Sequence, residues 1–266
     1  MRPWSEISLD GSARFLAIDH QETRMGAPTP LLDVLVGCVG ALTGDFDIID
    51  WSQQLVDACA HLTGGAAAGL FLADHRDALL VLAVTDEPAR ALVESSDGPP
   101  GQAYRTGSPA VADDLTTAAL VWPEFASRAS EQGYRSVYAM PLRIDSDDLG
   151  ALTVFGTIPG ALDRAGRRTA RILADVATLG IAQHILRPRV EPVRTRLPVA
   201  LHDRVVVERA KGVLAEHGGV DTEEAFARLR SHAVRTGQRL SDLAGALLAG
   251  TVHPTAILTP PTPRGR

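Results

Sequence analysis

Several things are scarce in this chain of 266 residues, and each shortage closes off a class of function. Only two cysteines occur, Cys38 and Cys59, each inside an apolar amphipathic stretch, too few for a disulfide framework or a four-cysteine zinc site. No uninterrupted apolar run approaches the roughly 18 residues that a membrane span needs. Met1 to Arg24 holds no apolar segment of the kind a signal peptide requires, so the expectation is a cytoplasmic protein. Aromatic residues make up 5% of the chain, and Phe226 is the only one after Phe155. Lysine occurs once, as Lys211, among 25 arginines.

What is present is ordinary for a globular protein: 45% apolar, 22% charged, and long enough for two unequal domains. The net charge of −6 is unevenly shared. Residues 1–186 carry −11 and residues 187–266 carry +5. An acidic body joined to a basic segment suits an anionic partner for the segment, although short domains also drift to either sign without function.

The apolar spacing divides the chain. Residues 1–29 have no clear period and read as a leader. Apolar residues at 31, 34, 35, 38, 39 and 42 predict a helix, and a second runs from Trp51 to Leu62 behind Asp50, stopped by Gly64 and Gly65. The period then falls to that of strands. Ala66 to Ala73 and Ala78 to Val84 read as a hairpin around Asp74 to Asp77. Short helices are expected near Glu87 to Glu94, Pro99 to Gly107 and Trp122 to Gln132, with a brief strand at Pro109 to Ala112. Strands Tyr134 to Ile144 and Leu149 to Ile158 precede a long helix, Leu162 to Leu186. This order predicts an α+β domain over 30–186, one antiparallel sheet flanked by helices.

Residues 187–198 are a linker, with Pro188, Pro192 and Pro198 among four arginines, which no continuous helix can cross. Three helical segments follow within 199–250: Leu201 to His217, Glu223 to Thr236 and Ser241 to Leu248, with Ser241 read as a helix cap. They predict a small all-α bundle with Val207, Ala210, Leu214, Ala225, Phe226, Leu229, Ala233, Leu240, Leu243, Ala244 and Leu247 as its core. The tail, 251–266, carries four prolines in its last 13 residues and is expected to be disordered.

Two sets of residues carry resemblances. Arg204, Val207, Ala210-Lys-Gly212, Leu214, Ala225-Phe226, Leu229-Arg230, Ala233, Leu240 and Ala244 resemble the ANTAR family of transcription antitermination modules, over about 50 residues. The resemblance implies a homodimer that holds hairpin RNA in message leaders. Arg204, Glu208 and Lys211 share one side of the first helix, either as an ion-paired solvated face or as an RNA contact. Arg204, Lys211, Arg230, Arg235 and Arg239 are the candidate RNA-binding residues, with Arg228 adding charge. The lone lysine falls on the family's motif position. Gly212 inside a helix implies a close approach, by a packed neighbour or by a phosphate, the former being favoured.

Phe46-Asp-Ile-Ile-Asp50, Ala68-Gly-Leu70, Gly98-Pro99, Ala103-Tyr-Arg-Thr-Gly107, Tyr134-Arg-Ser-Val137, Ala139-Met-Pro-Leu142 and Gly150-Ala-Leu152 are similar to a GAF domain, a small-ligand sensing and dimerisation module. Where such relatives commonly have a cysteine, this chain has Pro100, which excludes thiol chemistry or pigment attachment there. Trp122, Phe125, Tyr134 and Tyr138 are candidates for lining a pocket that takes a small-molecule effector, with ordinary core as the alternative. The eight histidines form no metal-binding pair, and Asp113-Asp114 and Asp147-Asp148 sit at turns, where aspartate serves the backbone. The reading is a non-enzymatic sensor and RNA-binding regulator, with no cofactor or metal required. Its alternative is a dimerisation or protein-interaction module with a helical partner-binding tail, and a DNA-binding bundle is a third possibility.

Overall fold

In the computed structural model, which describes residues 30–42, 46–93, 98–145, 147–186 and 197–258, helical and alternating spacings become helices and sheet in the expected order. The leader 1–29, the linker up to residue 196 and the tail from 259 lie outside the described residues. Helices α1 (Pro30–Leu42) and α2 (Ile48–Thr63) precede the hairpin of β1 (Ala67–Ala73) and β2 (Leu79–Val84). Helix α2 begins before Asp50 because Asp47, in extended backbone, accepts from the backbone N–H groups of Ile49 and Asp50 and caps it. Gly64 ends it with a left-handed φ of 68°.

Next come α3 (Glu87–Val93), α4 (Pro99–Thr106), β3 (Ala110–Ala112), α5 (Leu115–Ala118), α6 (Pro123–Glu131), β4 (Ser136–Ile144), β5 (Asp147–Gly156) and α7 (Arg164–Leu186). The strands run antiparallel in the order β2-β1-β5-β4-β3, with Leu70 opposite Leu152 and Tyr138 opposite Val154. Gly150 has to be bare, since a Cβ there would fall 1.9 Å from the carbonyl oxygen of Phe71 on the neighbouring strand.

Alternation splits the sheet into two apolar faces. Leu70, Leu72, Leu82, Met140, Leu142, Leu152 and Val154 pack with α2 and α7, whereas Phe71, Val137 and Phe155 pack with α3, α5 and α6. The result is three layers, helix on sheet on helix.

The second unit is α8 (Leu197–Gly218), α9 (Thr222–Thr236), α10 (Leu240–Leu248) and α11 (Pro254–Leu258). Ten of its expected core residues are buried, but Phe226 is half-buried and packs at the margin. Residues 254–258 are helical, not a disordered tail, because Ile257 is buried against α8 and α9. Gly212 is exposed, and a Cβ there would meet nothing within 4 Å, which overturns the expected close packing. Helix α8 lies against β2, β1, α2 and α7, and α10 against α2, so the apolar core runs from one unit into the other without a break.

Candidate nucleic-acid interface

The polar stripe of α8 faces the first unit, not solvent. Arg204 is 5% exposed and Lys211 6%. Glu208, between them, gathers three cations: Lys211 Nζ at 3.2 Å, Arg90 Nη2 of α3 at 3.2 Å, and Arg204. Burial works against the charge of Glu208, but Arg204, Lys211 and Arg90 together hold its carboxyl below the usual carboxylate value. Burial also pushes the Arg204 guanidinium down, against the pull of Glu208. The Lys211 ammonium lies 5.4 Å from the centre of the Phe226 ring, a cation–π placement that accounts for the position of that aromatic at the margin.

The segment Phe46 to Asp50, at the entrance to α2, holds the rest of the boundary. Arg230 Nε pairs with Asp50 Oδ1 at 2.5 Å, and Arg239 donates to the Phe46 carbonyl at 3.1 Å. Burial raises the Asp50 carboxyl above its usual value, with Arg230 opposing and Asp47 adding to the rise. Ser241 donates from its backbone N–H and its hydroxyl to Asp47 Oδ2. Ser241 is therefore not the cap of α10. Helix α10 starts at Leu240, Arg239 occupies the cap position but its side chain does not cap the helix, and the capping carboxylate comes from the other unit.

Four of the five expected RNA-binding residues, Arg204, Lys211, Arg230 and Arg239, thus meet at one boundary. Arg235 does not: it is exposed at the end of α9, beside His232 at 3.0 Å. Arg228 pairs with Glu224 and donates to the Leu258 carbonyl. Sequence reasoning missed Asp47, Asp50 and Arg90 as the opposing wall. Asp47 and Asp50 did carry a signal, since both belong to the Phe46-to-Asp50 stretch matched above.

Between the two units lies a cavity of about 180 Å³, lined by residues of both, including Gln53, Asp57, Arg90, Arg204, Lys211 and Phe226. The four aromatic pocket candidates do not form one wall. Phe125, Tyr134 and Trp122 sit in the core under α6, whereas Tyr138 points to the opposite face of the sheet, beneath Arg167 at 5.5 Å. Tyr134 donates to Asp86, and the space beside Phe125 is about 10 Å³, room for a water at most. The paired aspartates are structural: Asp114 caps α5, Asp113 pairs with Arg167, and Asp148 lies 3.5 Å from Arg143. Among the described residues no group of three His, Cys, Asp or Glu is placed to hold a metal, and no helix is long and apolar enough to cross a membrane.

Comparison with known proteins matches the two units separately. The family model of the GAF domain matches residues 47–182, half of the chain, and that of the ANTAR domain matches residues 195–248. No match is found among curated proteins. Similar solved structures include the GAF domain of an Acinetobacter phosphoenolpyruvate-protein phosphotransferase, at 16% identity and a TM-score of 0.46, covering 62% of this chain and all of that one. A GAF domain of the same kind of enzyme from Coxiella burnetii has 15% identity and a TM-score of 0.46, covering 57% and 93%. The free methionine-R-sulfoxide reductase of Neisseria meningitidis has 17% identity and a TM-score of 0.48, covering 62% and 97%. GAF and ANTAR domains are sensory and regulatory modules, although a reductase stands among the structural neighbours. The chain belongs to the GAF domain family and joins to its GAF domain an ANTAR domain that docks on it through the cationic face of α8.

Proposed function

We propose that this protein is a transcription antitermination regulator whose ANTAR domain binds hairpin RNA in message leaders and whose GAF domain decides when it can do so. One observation carries the reading. Arg204 and Lys211, at matched positions of the ANTAR domain, are 5% and 6% exposed because that domain is docked. An RNA phosphate has no access to cations buried to that degree, so binding through them requires a state in which the domains part. The GAF domain holds the small domain through Asp47, Asp50 and Arg90, and a signal that alters this contact changes RNA affinity without any lever arm. The homodimer of the family has a ready surface in this reading. Leu32, Val36 and Val39, all more than half exposed, form a row on α1, with Leu179 of α7 also exposed.

The test is titration of a labelled two-hairpin RNA with the full chain and with an Asp47→Ala/Asp50→Ala variant, at several salt concentrations. The variant is expected to bind more tightly than the wild type, with affinity falling steeply as salt rises. Absence of RNA binding by both, even at low salt, refutes the reading and leaves the protein-interaction module. A preference for duplex DNA over hairpin RNA would point to the third reading.

A further inference from the structure

We propose that the cavity between the two domains is a binding site for a small oxyanion, a phosphate or phosphate monoester, which clamps the ANTAR domain in its docked position. The proposal rests on the docking control just described and names its effector.

The cationic end of the cavity is built from both domains. Arg90 comes from α3, and Arg204 and Lys211 come from α8. Arg204, Lys211 and Arg90 share the single carboxylate of Glu208. Glu87 adds a contact to Arg90 at 3.2 Å, but its side chain is 60% exposed and counts for little there. With Glu87 counted, the cluster sets three cations against two carboxylates, and Arg204 and Lys211 among them are buried. One of its donors is unused: Arg204 Nε is buried without a hydrogen-bond acceptor among the described residues, whereas Arg90 Nε faces Glu87 Oε2 at 3.2 Å. A buried guanidinium N–H left unpaired is costly, and an oxyanion supplies several acceptors in the geometry a guanidinium fork prefers.

The rest of the lining sets a limit on the ligand. Asp57, Asp86 and Glu223 are there, with Arg230 beside Asp57 and Gln53 donating to Asp57. These carboxylates repel a second negative group and accept from an ammonium or hydroxyl. With about 180 Å³ to fill, the site suits one oxyanion on a compact molecule, not a polyanion such as a nucleotide triphosphate. This place is separate from the core under α6, where Phe125 and Tyr134 leave no comparable room.

Direction follows from placement. A ligand touching Arg90 on one domain and Arg204 and Lys211 on the other binds the docked state alone, so it stabilises docking and opposes RNA binding. By reciprocity, RNA weakens the ligand by the same factor.

The experiment uses the full chain, with orthophosphate and O-phosphoethanolamine as probes and chloride at matched ionic strength as reference. Either probe should raise Tm by about 2–4 °C beyond chloride, saturably. A larger shift with O-phosphoethanolamine shows that the Asp57 end takes part, and equal shifts show recognition of the phosphate alone. Arg90→Gln, a change outside the ANTAR domain, should abolish the excess shift, and Arg90→Lys should restore part of it. In the wild type, but not in Arg90→Gln, a saturating probe should reduce RNA affinity several-fold. Shifts no larger than those of chloride, or unchanged in Arg90→Gln, overturn the proposal. The Tm measurement needs no RNA. A probe shift lost in Arg90→Gln, with no RNA binding by any variant, would keep the site and refute the RNA reading.

Discussion

The carboxylate of Asp47 caps two helices in two domains at once. Its Oδ1 accepts from the N–H groups of Ile49 and Asp50 at the start of α2, at 2.9 and 3.1 Å. Its Oδ2 accepts from Ser241 N–H at 2.8 Å and Ser241 Oγ–H at 2.6 Å, at the start of α10. Both helices leave unpaired N–H groups at these ends, and both ends carry partial positive charge, so one carboxylate satisfies the two in the same place. Docking of the ANTAR domain thereby completes a helix that has no cap of its own.

Asp47→Ala should accordingly cost more than the loss of one cap. About 1 kcal/mol is expected for α2 and about 1–2 kcal/mol for the charged bonds to α10. Ser241→Ala keeps the backbone bond and should cost about 1 kcal/mol. Urea unfolding of both singles and the double gives the coupling, expected near 1 kcal/mol. Strict additivity would show that the contact does not form in solution.

Glu208 ties the same boundary by charge, and its contribution should depend on pH. Its carboxyl is held below the usual value despite burial, by Arg204, Lys211 and Arg90. A carboxyl lowered in the folded state supplies stability that is present above its unfolded value, 4.5, and is lost as pH falls through the folded value. Glu208→Gln should therefore destabilise by about 1–3 kcal/mol at neutral pH. The gap to the wild type should close as the pH is taken well below 4.5. Unfolding of both proteins across that range checks it, and a gap that stays constant contradicts it.

Most of the fold was legible because most of its elements announce themselves locally. The hairpin around Asp74 to Asp77, the glycines that end α2 and α9, and the apolar period of α7 need only their own neighbours. What escaped depends on distant partners. Helix α5 has four residues, too few to show a period, and α11 is helical because Ile257 has a place to go. Ser241 looked like a cap because an acceptor 194 positions away is invisible to local reasoning. The stripe Arg204, Glu208, Lys211 has the spacing of a solvated face, and nothing within α8 tells that Arg90 and β2 lie opposite. The sequence supplied the candidate cations; the fold decided that they are covered.

Gly212 separates stability from function. A Cβ there meets nothing within 4 Å, so Gly212→Ala should stabilise the chain by about 0.5–1 kcal/mol through helix propensity and a less flexible unfolded state. Thermal unfolding measures this. If the bare backbone serves RNA, the same variant binds RNA less tightly while being more stable. A variant that is destabilised would mean that α8 does not stand open at this position.

Cys38 and Cys59 are both buried, and burial pushes both thiols up to about 12. Neither offers a thiolate near neutral pH, so a thiol reagent should react only as fast as the protein opens. Labelling followed across a urea series should track unfolding, with Cys59, in α2 between sheet and α7, reacting last. Fast labelling of either in native buffer would contradict the burial.

Lys211 is where fold and function are hardest to part, because one side chain has three contacts. It pairs with Glu208 at 3.2 Å, lies 5.4 Å from the centre of the Phe226 ring and lines the interdomain cavity. Lys211→Ala removes stem, charge and ring contact together and should cost about 1–2 kcal/mol of stability, unlike an exposed lysine. Lys211→Met keeps the apolar stem over Phe226 and removes only the charge, so its stability should lie closer to the wild type. Both should be placed in the Asp47→Ala/Asp50→Ala background, where docking no longer competes. There, loss of one phosphate contact should weaken RNA binding by about 1–2 kcal/mol and lower the salt slope by about one. If Lys211→Met binds RNA as tightly as its parent, with an unchanged slope, the lone lysine serves the docked state only, and RNA contact must fall to Arg204, Arg230, Arg235 and Arg239.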